Sequence, residues 1–484
     1  MRVNIVDPGS ARAIVDKESD EGSVMDVIGL SSRVHEPIGA CYVARDTMDR
    51  GNEVNVIFPK SANLSVEEVL RDNPQVVAFS SLTYNYPLAL EVAKRTKDRN
   101  SGIITVIGGY HATCVPKEIS TEPAFDYIVS READHTLGDL VEFSEGKRKQ
   151  EEIRGLVYMD GQVFVDNFQR LDPNENPIPL RTKDMVKGMK RQGLYYPAPS
   201  DQRSIILLVG SRGCDYACKF CLSSEMFPSD NCGNRTRFRN IDNILQEITE
   251  CQLMFGTNYG FFVDLNFYGG DKGRIEKLCG EIAKTGFKWY AMSRVDVDPE
   301  ILFNMGLGGC TEVGFGVESL TKPLKSGFNG TMSEWQAMVK ERVRLLKNMG
   351  VLSKGYFILG DQGDSKQSLE EEREAILDSD FDELRLSFMM YSPGTPIFER
   401  LKREGRFLTD DLSKFSTDYP VIKVDGMTPE DMNRFRIRVY RDYYSSRKYA
   451  DQVRDMICRF PHLRKSYAEF NQLLVNSLGQ GFSD

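Results

Sequence analysis

Over the first 140 residues, short apolar runs alternate with stretches in which apolar residues recur every three or four positions. The runs at 3–6, 53–58, 76–79, 103–107 and 127–129 have the length of buried strands, while 38–50 and 87–98 have the period of amphipathic helices. Strands that alternate with helices predict a parallel, doubly wound sheet, in which ligands sit beyond the carboxyl ends of the strands. Those ends fall at Ser80-Ser81-Leu82-Thr83, at Gly108-Gly109-Tyr110-His111-Ala112-Thr113 and at Ser130-Arg131-Glu132-Ala133-Asp134-His135.

The pattern then changes twice. Residues 153–165 read as a hairpin around Asp160-Gly161, a two-residue turn pair, and Pro173, Pro177 and Pro179 mark an extended linker. From about 203 to 400 the alternation of strand and helix returns, with strands expected at 205–209, 260–263, 288–292, 312–315, 355–359 and 383–388. Beyond 420, Thr428-Pro429-Glu430-Asp431 is a helix start, with Thr as cap, Pro at the first position and acids in the first turn. Met432, Phe435 and Val439 then form one apolar face. The expected organisation is an α/β chain with a Rossmann-like domain over 1–145, a hairpin and linker over 146–202, a barrel-like unit over 203–400 and a helical cap over 401–484.

Composition narrows the function classes. The net charge is −9 and Lys and Arg are interspersed with Asp and Glu, so no basic stripe suits nucleic acid. No apolar run approaches the ~18 residues of a membrane span, and the start lacks a basic-then-apolar signal, so no membrane partner is expected and the cytoplasm is the expected compartment. Mild acidity suits a cationic small-molecule substrate.

The chemistry concentrates in Cys214-Asp215-Tyr216-Ala217-Cys218-Lys219-Phe220-Cys221. Three thiolates at CxxxCxxC spacing can bind three irons of a cubane and leave the fourth open to a bidentate small molecule. A structural zinc site would call for a fourth Cys or His at comparable spacing. The four histidines, His35, His111, His135 and His462, all lie elsewhere. The other cysteines, Cys41, Cys114, Cys232, Cys251, Cys279, Cys310 and Cys458, form no second ligand pattern and are expected to be buried free thiols.

This spacing resembles that of the radical S-adenosylmethionine superfamily. The resemblance implies metal ligands Cys214, Cys218 and Cys221, a [4Fe-4S] cluster, and S-adenosylmethionine cleaved to a 5'-deoxyadenosyl radical that abstracts hydrogen. It implies a partial (β/α)6 barrel and an electron donor such as a flavodoxin-type protein. Several strand ends resemble the family's cofactor-binding segments: Asp264 after the second strand, Ser293-Arg294 after the third, Glu318-Ser319 after the fourth, the stretch from Gly355 to Gly360 on the fifth, and Tyr391-Ser392-Pro393-Gly394-Thr395-Pro396 closing the barrel.

The first half resembles the cobalamin-binding domain that precedes the barrel in one large class of these enzymes, through Pro37-Ile38-Gly39, Gly108-Gly109-Tyr110-His111 and the Glu132 segment. It departs from that class in three respects: Tyr110 stands in place of Pro, Arg131-Glu132 in place of a Gly-Glu pair, and no Asp-x-His-x-x-Gly motif supplies an axial His. Two outcomes therefore compete, methyl transfer from methylcobalamin and loss of water beside a substrate radical. Tyr216, inside the cluster loop, can donate a proton to a departing hydroxide or pack as an aromatic against the cluster. With Tyr216, the length and the altered first domain, the pattern resembles radical diol dehydratases acting on aminoglycosides such as paromamine, without need of cobalamin. That resemblance makes Asp264 and Glu312 candidates to bind substrate ammonium groups.

Overall fold

The computed structural model describes residues 1–7, 37–57, 66–160, 163–167, 170–175, 178–183, 206–216, 218, 220–227, 229, 235–322, 328, 330–468 and 470. Expectations for His35, Phe58, Gly161, Pro177, Ile205 and Cys232 lie outside these residues.

The first sheet holds β1 (Arg2–Val6), β2 (Glu53–Ile57), β3 (Val76–Ser80), β4 (Ile104–Gly108), β5 (Tyr127–Val129), β6 (Leu156–Asp160) and β7 (Val163–Asp166), in the order β2-β1-β3-β4-β5-β6-β7. The first five are parallel, and the order reverses between β1 and β3, which is the switch point of a doubly wound sheet. Near-continuous burial of β1 and β3 follows from cover on both faces by helices such as Ile38–Asp49 and Tyr86–Arg99. The hairpin expected at the head of the linker forms the antiparallel edge β6–β7 of this sheet, so the sheet continues past residue 145 to Asp166. Backbone bonding of β6 to β5 outweighs the break in pattern that set the hairpin apart in the sequence.

The second sheet is the barrel. It comprises β8 (Ile206–Leu208), β11 (Tyr259–Phe262), β12 (Lys288–Arg294), β13 (Cys310–Glu318), β14 (Leu352–Leu359) and β15 (Glu383–Phe388), six parallel strands in the order β15-β14-β13-β12-β11-β8. A short antiparallel pair, β9 (Ser211–Arg212) with β10 (Arg237–Phe238), flanks the cysteine loop. Alternate residues of β13 to β15, among them Val313, Phe315, Phe357, Leu359, Leu384 and Leu386, enter the core shared with Trp335 and Val339 of the outer helix Met332–Met349. The intervening residues face inward and are polar: Glu312, Lys354, Tyr356, Glu383 and Arg385.

An open barrel leaves an edge, and an unpaired strand edge needs cover. Here the Leu384 and Leu386 N–H groups donate to the hydroxyls of Tyr444 (2.8 Å) and Tyr440 (2.7 Å), while Phe388 N–H donates to the Thr417 carbonyl (2.8 Å). Both tyrosines sit on helix Pro429–Tyr444, which starts at the expected Thr428 cap and buries Met432, Phe435 and Val439 as expected. The C-terminal helices thus cap the barrel along its edge strand.

The two units meet through charge. Arg212 binds Asp134 at 2.7 and 2.6 Å and reaches Glu132 at 3.4 Å, and Arg237 lies 2.7 Å from Glu132. Asp134 and Glu132 follow the carboxyl end of β5, so that end of the first sheet faces the β9–β10 pair that flanks the cysteine loop.

Candidate active site

The cysteine loop follows β9 and is shaped by two features. Gly213 has φ +89°, and a Cβ there would collide with the Arg235 carbonyl, so only glycine makes this turn. Asp215 then accepts hydrogen bonds from the Arg235 and Thr236 N–H groups at 2.7 and 3.0 Å. Burial pushes its pKa up, but those N–H bonds outweigh it and hold the carboxyl below its usual range. The far side of the loop closes with Cys221 N–H donating to the Cys218 carbonyl at 2.9 Å.

The loop brings Cys214, Cys218 and Cys221 into mutual electrostatic range. Burial raises the Cys214 and Cys218 pKa values; a Tyr216 N–H bond opposes this at Cys214 and the Arg294 charge opposes it at Cys218. All three cysteines are free thiols, and no His stands among them. Among the described residues no His, Cys, Asp or Glu group is drawn into closed metal-binding geometry. Three unpaired thiols on one short loop, with an arginine to balance thiolate charge, are the donor set that an iron-sulfur cluster with one open position requires.

Arg294, at the end of β12, stands beside this loop. Its Nη1 is 3.9 Å from Cys218 Sγ and its guanidinium carbon lies 3.9 Å from the centre of the Tyr216 ring. Asp296 grips the same guanidinium at both ends, Nε to Oδ1 at 2.8 Å and Nη2 to Oδ2 at 2.7 Å. Tyr216 keeps 39% of its surface exposed. Burial, then the Asp296 charge, raise its pKa against the pull of Arg294, so the phenol is protonated at neutral pH. Glu318 completes the group. It ends β13 where the register slips between Gly316 and Glu318, and it holds φ +64°, a strained conformation of the kind found at binding sites.

Other residues singled out from the sequence serve the frame. Asp264 is 2% exposed, accepts from Gly210 N–H at 2.9 Å and from the Ser211 hydroxyl, and fastens β11 to the turn ahead of the cysteines. Burial pushes its pKa up to about 6 against those bonds. Ser293 is buried, with its hydroxyl 3.5 Å from Asn266 Oδ1. Ser319 donates to Glu372 at 2.5 Å, inside the network that receives Leu320 and Thr321 N–H groups. Gly355 leaves room for the Phe381 ring and Gly360 turns against Met432. Glu312, expected near substrate, sits toward the amino end of β13, away from the cysteine loop, and pairs with Lys354 at 3.8 Å; Lys354 binds Glu383 at 2.8 Å. Burial and the Glu383 charge raise Glu312 to about 7, against Lys354. Asp264 and Glu312 therefore hold the scaffold rather than face the cysteine loop.

Asp296 was not singled out in the sequence. Its signal was available: Arg-x-Asp at a strand end places both side chains on one side.

At the first sheet, both histidines have protein neighbours. His111 is 2% exposed, 3.3 Å from Thr83 Oγ1, and lies against Tyr86, and burial holds its pKa near 4. His135 lies 2.6 Å from Asp46 Oδ1 and 3.4 Å from Glu175 Oε2. Arg131 takes φ +58°, where glycine would be unstrained, and its side chain crosses to the barrel, donating to the Glu225 carbonyl and to Asp166, each at 3.0 Å. Tyr110 keeps 37% of its surface exposed and neighbours Cys221 and Cys114, and the Cys114 carbonyl lies so near Gly394 that a Cβ there has no space.

A Rossmann-like sheet set over a six-stranded parallel barrel is an arrangement this chain shares with solved structures. Residues 25–141 match the B12 binding domain family. An uncharacterized methyltransferase of Pyrococcus horikoshii is 25% identical over 433 residues, 88% of this chain and 90% of that protein. Among solved structures, OxsB with aqua-cobalamin and S-adenosylmethionine bound superposes with TM-score 0.64 at 15% identity, over 99% of this chain and 75% of that one. TsrM of Kitasatospora setae with cobalamin and a [4Fe-4S] cluster gives 0.61 at 16%, over 84% and 78%. At these identities the likeness is one of fold. No helix among the described residues is long and apolar enough to cross a membrane.

Proposed function

We propose that this chain is a radical S-adenosylmethionine enzyme that removes a hydroxyl from a vicinal diol, acting on a polar amino sugar such as paromamine at its 3'-hydroxyl. The observation that carries this reading is the cluster loop itself, which sets a protonated phenol, Tyr216, beside the three thiols and under Arg294. A [4Fe-4S] cluster, when bound, supplies the electron that cleaves S-adenosylmethionine. Arg294 and Glu318 line the space next to it, where the amine, carboxylate and ribose of that molecule require charged partners. Hydrogen abstraction from a carbinol carbon acidifies its hydroxyl. The neighbouring C–O bond then breaks, Tyr216 gives its proton to the departing hydroxide, and water leaves. The carbinol hydroxyl loses its proton to solvent, which reprotonates the phenolate, and one electron and one proton from a reductant convert the remaining radical to the ketone.

Two further features support it. At the cysteine-loop end of the barrel, Arg294, Asp296 and Glu318 make the surroundings of Tyr216 charged, which suits a hydroxylated, amine-bearing substrate better than an apolar one. Arg131 and Tyr110 stand at strand ends of the first sheet, where the resembling cobalamin class has a glycine and a proline. Through Tyr216, the chain length and this altered first domain, the chain also resembles the apramycin-pathway radical diol dehydratase.

A second reading is cobalamin-dependent C-methylation. The match of residues 25–141 to the B12 binding domain favours it, and the curated relatives carry methyltransferase, methylase and cyclase names, so the comparisons back methylation better than dehydration. Anaerobic mass spectrometry of paromamine with reconstituted enzyme, reductant and S-adenosylmethionine, with and without cobalamin, separates the two. Loss of one water without cobalamin is the result expected. Gain of one methylene only with cobalamin would install the second reading, and 5'-deoxyadenosine with unchanged paromamine would reject this substrate.

A further inference from the structure

The geometry points to Asp296 as a positioning residue that sets the Arg294 guanidinium against the Tyr216 ring and thereby fixes where the phenol stands. This deepens the dehydration reading and rests on it for its catalytic consequence. The structural part stands on four contacts. Asp296 holds Arg294 through Nε and Nη2 at 2.8 and 2.7 Å, the fork-to-fork arrangement that fixes a guanidinium plane as well as its position. The held plane lies 3.9 Å from the Tyr216 ring centre, in stacking distance, and leaves Nη1 3.9 Å from Cys218 Sγ.

The arrangement is more than a surface ion pair. Arg294 and Asp296 side chains are only 16% and 22% exposed, and Arg294 ends β12 with Asp296 two residues on, so the pair ties no distant elements together. What it does determine is the orientation of a long, flexible side chain. Without Asp296 the guanidinium loses the fork that sets its plane, and Tyr216, 39% exposed, loses the fixed flat surface it stacks on. A proton donor that wanders by about 1 Å loses much of its effect, on the order of 10²-fold. The clamp therefore acts on the water-loss step, and because Arg294 also borders the S-adenosylmethionine space, its effect on that step is read as product formed per 5'-deoxyadenosine.

The test compares Asp296→Ala and Asp296→Glu with the wild-type holoenzyme. Each is labelled with 3-fluorotyrosine, and the Tyr216 resonance is assigned through Tyr216→Phe. The Tyr216 ¹⁹F resonance is expected to move and broaden in Asp296→Ala and to return toward its wild-type position in Asp296→Glu, with iron per chain unchanged. Dehydrated product per 5'-deoxyadenosine is expected to fall about tenfold or more in Asp296→Ala and to recover in part in Asp296→Glu. An unmoved ¹⁹F resonance overturns the positioning role, and so does loss of iron, which would make Asp296 a support of the cysteine loop. If the wild type forms no dehydrated product, the dehydration reading fails, while the resonance still decides the role of Asp296.

Discussion

Asp264 shows how far a residue's type can mislead about its task. An aspartate at the end of the second barrel strand reads as a ligand, yet its two oxygens are taken by Gly210 N–H and the Ser211 hydroxyl. Its pKa near 6 lies above the ordinary 3.8, so the folded state favours the protonated form. The stability this gives is complete below about pH 4 and is lost as pH rises through 6, a change of about 3 kcal/mol. Asp264→Asn should flatten stability across that window in urea titrations at stepped pH; an unchanged slope would contradict the assignment. Tyr216 makes a different case, since its place in the loop was legible but its partners Arg294 and, through it, Asp296 were not. Tyr216→Phe should lower water loss about 10²-fold while 5'-deoxyadenosine still forms, read by liquid chromatography of both products. Arg294 was foreseen through resemblance, whereas Asp296, two residues on, needed the folded strand end to show that it grips the same guanidinium.

At the scale of elements, the parallel strands were legible because each is a short apolar run between helical periods. Those of β1, β3, β12 and β15 fall within a residue or two of their expected bounds. The hairpin β6–β7 was legible as a hairpin but not as part of the first sheet, because local pattern carries no record of which edge a strand will join. Cover of the barrel edge was also invisible: Tyr440 and Tyr444 read as ordinary members of an amphipathic helix, and only pairing with β15 reveals that their hydroxyls accept from its backbone. Tyr440→Phe leaves the Leu386 N–H buried without a partner and should cost about 1 to 3 kcal/mol in chemical denaturation. A variant as stable as the wild type would mean that the edge is satisfied in another way.

At the scale of the whole molecule, the orientation of the two units rests on buried charge. Arg212 joins Asp134 and Glu132, with side-chain exposures of 12%, 6% and 3%. Arg212→Ala strands those carboxylates and should destabilise the chain by about 3 to 5 kcal/mol, seen as a lower denaturation midpoint; no change would place the join elsewhere. That same join brings β5 and Tyr110 to the cysteine loop, so the first domain closes over the site whether or not a corrinoid is held there. The account depends most on the loop of Cys214, Cys218 and Cys221 acting as a radical-generating centre. The direct measurement is low-temperature electron paramagnetic resonance of the anaerobically reconstituted, reduced enzyme with and without S-adenosylmethionine, followed by assay of 5'-deoxyadenosine. A reduced cluster signal that changes on adding S-adenosylmethionine, with 5'-deoxyadenosine formed and both lost in Cys218→Ala, is the predicted result; a chain that holds no iron, or whose signal ignores S-adenosylmethionine, would contradict it.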